Sequence, residues 1–213
     1  MPDLICIPTE LERDKIAALL SLDPSDWRVE TVGFGVVQAS IGTLTAITRW
    51  RPRRVILAGI AGRFHGADAS VGEALLFDSV RVDGIGVGQG DDFSDAWSLD
   101  WPWAGEQVLS LTSAATASKT PRSKSADREL LTVCSASRDV ADAAWRAERF
   151  PDAVAEDMEG YAVALACRSA DLPLSIVRGL SNEVGQRDRS TWRIHEALVS
   201  TAQLIQSITE QPG

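Results

Sequence analysis

Short apolar runs that read as buried strands alternate along the chain with helical patterns, and this alternation restricts the fold more than any other feature. LICIP (residues 4–8) is an apolar strand, followed by an acidic helix start and a helix to about Leu20. WRVETVGF (27–34) and VVQASIG (36–42) are rich in β-branched and aromatic residues and read as neighbouring strands or a hairpin about Gly35. A helix then reaches Trp50, and Pro52 ends it. RVILAGIAG (54–62) reads as a buried strand entering a glycine turn, and EALLFDSVRV (73–82) as one further strand. After a long irregular stretch come the strand LLTVCSAS (130–137), a helix over 139–150, a short strand at AVAE, a helix over 158–170, the strand LPLSIVRGLSN (172–182) and a last helix over about 190–209. Trp192, Leu198, Ala202, Ile205 and Ile208 form the apolar stripe expected of that last helix.

This order predicts an α/β fold with a largely parallel or mixed sheet between helices. A length of 213 residues suits one such domain, 1–213, and is short for two. In such sheets ligands bind beyond the carboxyl ends of strands, so IPTELE, AGIAG and RGLSN are the places to look for a site. The exception to the alternation is 84–127, with five glycines and the aromatic cluster Trp97, Trp101 and Trp103. A segment of that length without periodicity is usually functional or mobile.

Charge narrows the partners. Thirty Asp+Glu against 21 Lys+Arg give a net charge of -9, which argues against a nucleic-acid partner and leaves room for a small nucleoside without phosphate. Cys6, Cys134 and Cys167 are odd in number, far apart and set in apolar runs, so buried free thiols in a reducing compartment are expected, not disulfides or a metal. The N-terminus, MPDLICIPTELERD, is acidic where a signal peptide is basic, and no apolar run approaches the roughly 20 residues of a membrane span. A cytoplasmic protein without a membrane partner is expected.

Among the motifs, GIGVGQG (84–90) fits neither GxGxxG nor GxxxxGK[ST] and reads as a flexible loop. His65 and His195 lack ligand spacing and read as ordinary surface residues. EDMEGYA (156–162) packs three carboxylates around Met158 at a strand-to-helix junction. Glu156 and Asp157 suit acids at a helix N-terminus. Glu159, in the first turn of a buried helix, needs a hydrogen-bonding partner, and the two hydroxyls of a ribose are suitable donors. Glu10 and Glu12, taken alone, read as a solvated helix start.

Taken in order, PTELE, ASIG (39–42), LAGIAG (57–62), VGE (71–73), EDMEG and VRGLSN (177–182) resemble the purine nucleoside phosphorylase and methylthioadenosine/S-adenosylhomocysteine nucleosidase superfamily. Within it, RGLSNEVGQRDRSTW looks most like the futalosine hydrolase family, of the futalosine route to menaquinone. The resemblance implies a three-layer α/β/α sandwich around a mixed sheet, a nucleoside as small-molecule partner, no metal or cofactor, and a homo-oligomer, dimer or tetramer. It implies that Glu12 activates the attacking water, that Glu159 holds the ribose hydroxyls with Met158 under the sugar, and that Asp157, Gly59, Ile60, Ala61 and Ser181 line the substrate site. Asn182 stands where the adenosine-type nucleosidases carry an aspartate.

An asparagine there suits a 6-oxopurine such as hypoxanthine. Its amide can donate to O6 while its carbonyl accepts from a protonated N7, whereas an aspartate would set a charged acceptor against O6. Futalosine hydrolysis to hypoxanthine is the implied reaction. The rivals are a methylthioadenosine/S-adenosylhomocysteine or aminodeoxyfutalosine nucleosidase, a phosphorylase, and a non-catalytic nucleoside-binding protein. A phosphorylase is disfavoured because IPTELE lacks the Gly-rich, Arg-containing phosphate loop. The benzoate-like tail of futalosine needs a cation, for which Arg187, Arg189 and the KTPRSK segment (119–124) are candidates; Arg63 has no assigned role, and a tryptophan of 84–127 is a candidate for stacking on the purine.

Overall fold

The computed structural model describes residues 1–111 and 128–210; KTPRSK lies outside them. The elements in chain order are β1 (Asp3–Ile7), α1 (Glu10–Ala17), β2 (Trp27–Thr31), α2 (Gly35–Trp50), β3 (Val55–Arg63), β4 (Ala74–Phe77), β5 (Ser79–Asp83), β6 (Gly86–Val87), β7 (Ser94–Asp95), β8 (Val108–Ser110), β9 (Glu129–Val133), α3 (Val140–Arg149), β10 (Ala153–Asp157), α4 (Gly160–Ser169), β11 (Leu174–Glu183) and α5 (Ile194–Thr209). Among the described residues, nine strands form one mixed sheet, and β6 and β7 pair separately.

The central strands are apolar throughout because both faces of the sheet are covered. Alternate residues of β1, β3 and β11 enter different cores. Leu4, Cys6, Val55, Leu57 and Ile176 join one with Ala162 and Val163 of α4 and Ala39 of α2. Ile5, Ile7, Ile56 and Val177 join the other with Ile16 of α1 and Leu198, Ala202 and Ile205 of α5. The expected three-layer sandwich around a mixed sheet follows from this division.

β3 is the hub. It pairs in parallel with β1 and, along its whole length, with β11, while its end at Gly62 and Arg63 meets β10 antiparallel. The carboxyl ends of β1, β3, β10 and β11 thus converge.

Several local expectations are corrected. VVQASIG is not a strand but the first half of α2, whose buried residues Ala39, Thr43 and Ala46 recur at helical spacing despite the β-branched valines. AGIAG is not a turn, since β3 runs through to Arg63. EALLFDSVRV breaks at Asp78 into β4, antiparallel to β11, and β5, parallel to β9. GIGVGQG is not a bare loop: Gly86 and Val87 pair with Asp95 and Ser94. Trp192 lies ahead of α5, after a short 3-10 turn at Arg189–Thr191, and not on the helix. Cys6 and Cys167 are buried, but Cys134 is exposed, at the open end of β9.

Candidate active site

Where the strand ends converge lies a cleft of about 290 Å³, lined among others by Glu12, Ile60, Ala61, Met158, Glu159, Ser181 and Asn182. Behind the lining carboxylates Asp157 and Glu159 is Arg178, a fully buried guanidinium in the apolar run of β11. A charge so placed must be paired. Its Nη2 donates to Asp157 Oδ2 at 2.5 Å and to Glu159 Oε2 at 3.0 Å, and its Nε donates to Asp157 Oδ2 at 3.1 Å. Burial works against its charge, but Asp157, Glu159 and Glu12 outweigh burial and push its pKa up. In the sequence Arg178 shows only as one charge inside the apolar run IVRGL.

Asp157 lines the cleft but is held by the protein itself. Besides Arg178, it accepts from Thr132 Oγ1 at 2.6 Å and from the Gly160 N–H at 2.8 Å. Its position on the lining also makes it the anchor of Arg178. Glu156 also is no helix-terminal acid. It belongs to β10 and accepts from the Ser137 N–H and hydroxyl, at 2.9 and 2.7 Å, and from Arg146 at 2.9 Å.

Glu159 is at the N-cap of α4, one residue before the first turn, and its side chain caps nothing there. It points instead at the start of α2, where the Gly35 N–H donates to Oε1 at 3.0 Å. A helix N-terminus favours an anion. Burial nevertheless raises the pKa of Glu159 to about 7, with Asp157 and Glu12 adding to the rise and Arg178 and the Gly35 N–H opposing it.

Glu12 is buried, whereas Glu10 faces solvent, so this helix start is not merely a solvated one. Thr9 caps α1 and accepts from the Glu12 N–H. The Glu12 carboxylate accepts from the Thr9 hydroxyl at 2.5 Å and from the Ile60 N–H at 3.0 Å. Gly59, expected to touch substrate, sits behind this group. A Cβ there would lie 2.3 Å from Arg178 Nη1 and 2.9 Å from Glu12 Oε1, so glycine is what lets the two approach across β3.

Asn182 owes its orientation to a bulge. The register of β11 on β3 shifts between Leu180, opposite Ala61, and Asn182, opposite Gly62, leaving Ser181 as the extra residue. Bulges of this kind re-aim side chains beside sites. Asn182 Nδ2 donates to the Glu183 carbonyl at 2.8 Å, and Oδ1 accepts from the Ser181 hydroxyl at 2.8 Å. The carbonyl accepts only from a donor, so the NH2 end is fixed. One N–H and one lone pair of the amide are left over.

The expected tryptophans, Trp97, Trp101 and Trp103, do not line the cleft; the aromatic lining among the described residues is Phe34 and Trp192. Arg63 ties down the β3–β4 loop, donating to the Ala67 and Ala69 carbonyls and to Glu183. No cluster of His, Cys, Asp and Glu able to hold a metal occurs among the described residues.

A family model described as Phosphorylase superfamily matches residues 28–211. The chain belongs to the phosphorylase superfamily. A futalosine hydrolase from Streptomyces coelicolor is 31% identical over 202 residues, covering 92% of this chain and 83% of the relative. A 5'-methylthioadenosine/S-adenosylhomocysteine nucleosidase from Bacillus subtilis is 27% identical over 188 residues, covering 84% and 78%. The native structure of futalosine hydrolase from Helicobacter pylori superposes with a TM-score of 0.80 at 14% identity, over 99% of this chain and 97% of that one. A nucleosidase from Colwellia psychrerythraea in complex with adenine gives 0.76 at 22%, over 98% and 94%. These two structures show that this superfamily member shares their fold.

Proposed function

We propose that the protein is a nucleosidase that hydrolyses the N-glycosidic bond of futalosine, releasing hypoxanthine and the dehypoxanthinyl sugar, in menaquinone biosynthesis. The observation that carries this reading is the amide of Asn182. Its free N–H suits O6 and its free lone pair suits the protonated N7, the donor–acceptor pair of a departing 6-oxopurine. An aspartate at 182 would face the Glu183 carbonyl with an oxygen in place of the amide N–H and, when ionised, would set a charged acceptor against O6.

Glycosidic cleavage passes through an oxocarbenium-like state, which nearby carboxylates stabilise. In this reading Glu159 takes the ribose hydroxyls as donors, with Met158 beneath the sugar, and Glu12 orients and deprotonates the attacking water. Arg178, anchored by Asp157, keeps the two glutamates from repelling each other. Ile60, Ala61 and Ser181 shape the wall around the bond. Water is favoured over phosphate as nucleophile because the carboxylates of Glu12 and Glu159 line the cleft and no Gly-rich, Arg-containing loop follows β1. The relatives named 5'-methylthioadenosine/S-adenosylhomocysteine nucleosidase favour, as second reading, an adenosine-type substrate.

The chain is further read as one nucleosidase domain of a cytoplasmic homo-oligomer. An exposed apolar row of α2 beside the cleft, Val37, Ile41 and Leu44, supports the oligomer. The experiment is chromatography of purified protein with futalosine and with methylthioadenosine. Hypoxanthine from futalosine supports the reading, and adenine release from methylthioadenosine alone supports its rival.

A further inference from the structure

Resting on the hydrolase reading, we propose that the loop between β11 and α5 is a recognition site for an aromatic carboxylate on the outer end of the nucleoside. Trp192 provides the face for the ring, and Arg187 and Arg189 bind the carboxylate. All three line the cleft, at the side where β11 leaves it. Both guanidinium carbons lie near the Trp192 ring, 5.8 and 5.9 Å from its centroid. These are the outer limits of a cation–π contact and leave the donor forks free for a ligand.

Two arginines without a carboxylate partner among the described residues meet at one tryptophan on the lining of the cleft, in a chain with 30 acidic and 21 basic residues. Arg63, Arg81, Arg146, Arg178 and Arg193 each have a carboxylate partner. Neither Arg187 nor Arg189 has one among the described residues. Asp188, between them in sequence, is engaged elsewhere: it accepts from the Ser190 N–H at 3.0 Å and hydroxyl at 2.7 Å, capping the 3-10 turn.

The loop is also held in place. Trp192 Nε1 donates to the Gln186 carbonyl at 3.0 Å, and the Arg193 N–H donates to the carbonyl of the bulge residue Ser181 at 2.8 Å. The bulge that aims Asn182 at the base therefore also anchors the Trp192 segment. Preorganisation of this kind lowers the ordering cost of binding.

Charge sorts the ligand end for end. Glu12 and Glu159 make the floor repel a carboxylate, while the rim beside Trp192 carries two cations. A nucleoside with an acidic aromatic tail fits only with its sugar on the glutamates and its tail outward. Inosine, which lacks a tail, gains nothing at the rim.

The test compares kcat/KM for futalosine and inosine in the protein and in R187A/R189A, with R187K/R189K and W192A alongside, after thermal melts confirm folding. For the double alanine variant, KM for futalosine should rise about 10–100-fold, as expected on losing charge-assisted hydrogen bonds at a partly hydrated site. The loss on inosine should be at least tenfold smaller. The lysine pair should recover part of the discrimination, since charge returns without the planar fork. Equal losses on both nucleosides, or no loss on futalosine, would overturn the site while leaving the hydrolase reading intact. Absence of hypoxanthine release from both nucleosides by the unaltered protein would instead overturn the hydrolase reading, and this site with it.

Discussion

At the scale of single residues, the cleft is a balance of three carboxylates on one buried guanidinium. Removing Arg178, as in Arg178→Met, leaves Asp157, Glu159 and Glu12 uncompensated; we expect destabilisation of roughly 3–5 kcal/mol, read from denaturant melts. Glu12→Gln and Glu159→Gln should each lower kcat/KM by at least about 100-fold while the melts stay cooperative. Near-full activity in either variant would remove that residue from the mechanism. Glu159 also sets a pH dependence. Its folded pKa, about 7, lies above its ordinary 4.5, so the native state holds the extra proton between these values. Its contribution to stability therefore falls as pH rises through that window, by up to roughly 1.4 kcal/mol per unit, and levels off above it. Activity runs the other way if the ionised form must accept from the ribose hydroxyls. kcat/KM should rise with pH to a plateau above about 7, and the residual activity of Glu159→Gln should lack that limb. Glu12, Glu159 and Asn182 were legible from short motifs because their order along the chain resembles a family. Arg178 and the buried bonds of Asp157 and Glu156 were not, because what defines each is a partner distant in sequence: Asp157 for Arg178, Thr132 for Asp157, and Ser137 for Glu156.

At the scale of elements, the site depends on how β11 is held. Its glycine, Gly179, lies against α5: a Cβ there would meet the Ala197 carbonyl oxygen at 2.2 Å and Thr201 Oγ1 at 2.6 Å. Gly179→Ala must push α5 from the sheet, and we expect a loss of about 1–3 kcal/mol in thermal or chemical melts, together with weaker substrate binding as the Ser181 bulge moves. An unchanged melting temperature would show that this packing is looser than described. The strands of the central sheet were readable because burial on both faces leaves continuous apolar runs with little ambiguity. α2 was misread because Val36 and Val37 favour strands locally, while its helical register appears only in the small buried residues Ala39, Thr43 and Ala46 that pack toward α4. The bulge at Ser181 has no sequence signature of its own, since it is defined by the partner strand.

At the scale of the molecule, a net charge of -9 and a carboxylate-rich cleft make an anionic nucleophile a poor competitor for water. Turnover should be the same with and without phosphate, and a rate that requires phosphate would restore the phosphorylase reading. The base that leaves is set by the other end of the cleft. Asn182→Asp should shift preference from futalosine toward its 6-amino analogue; unchanged hypoxanthine release without any adenine release would remove Asn182 as the selector. The measurement that bears most directly on the whole is mass analysis of the products from futalosine in heavy-oxygen water, with phosphate present. The expected result is free hypoxanthine and a sugar that carries the heavy oxygen at its anomeric carbon. A sugar phosphate, or a sugar without the label, would contradict hydrolysis by a Glu12-activated water.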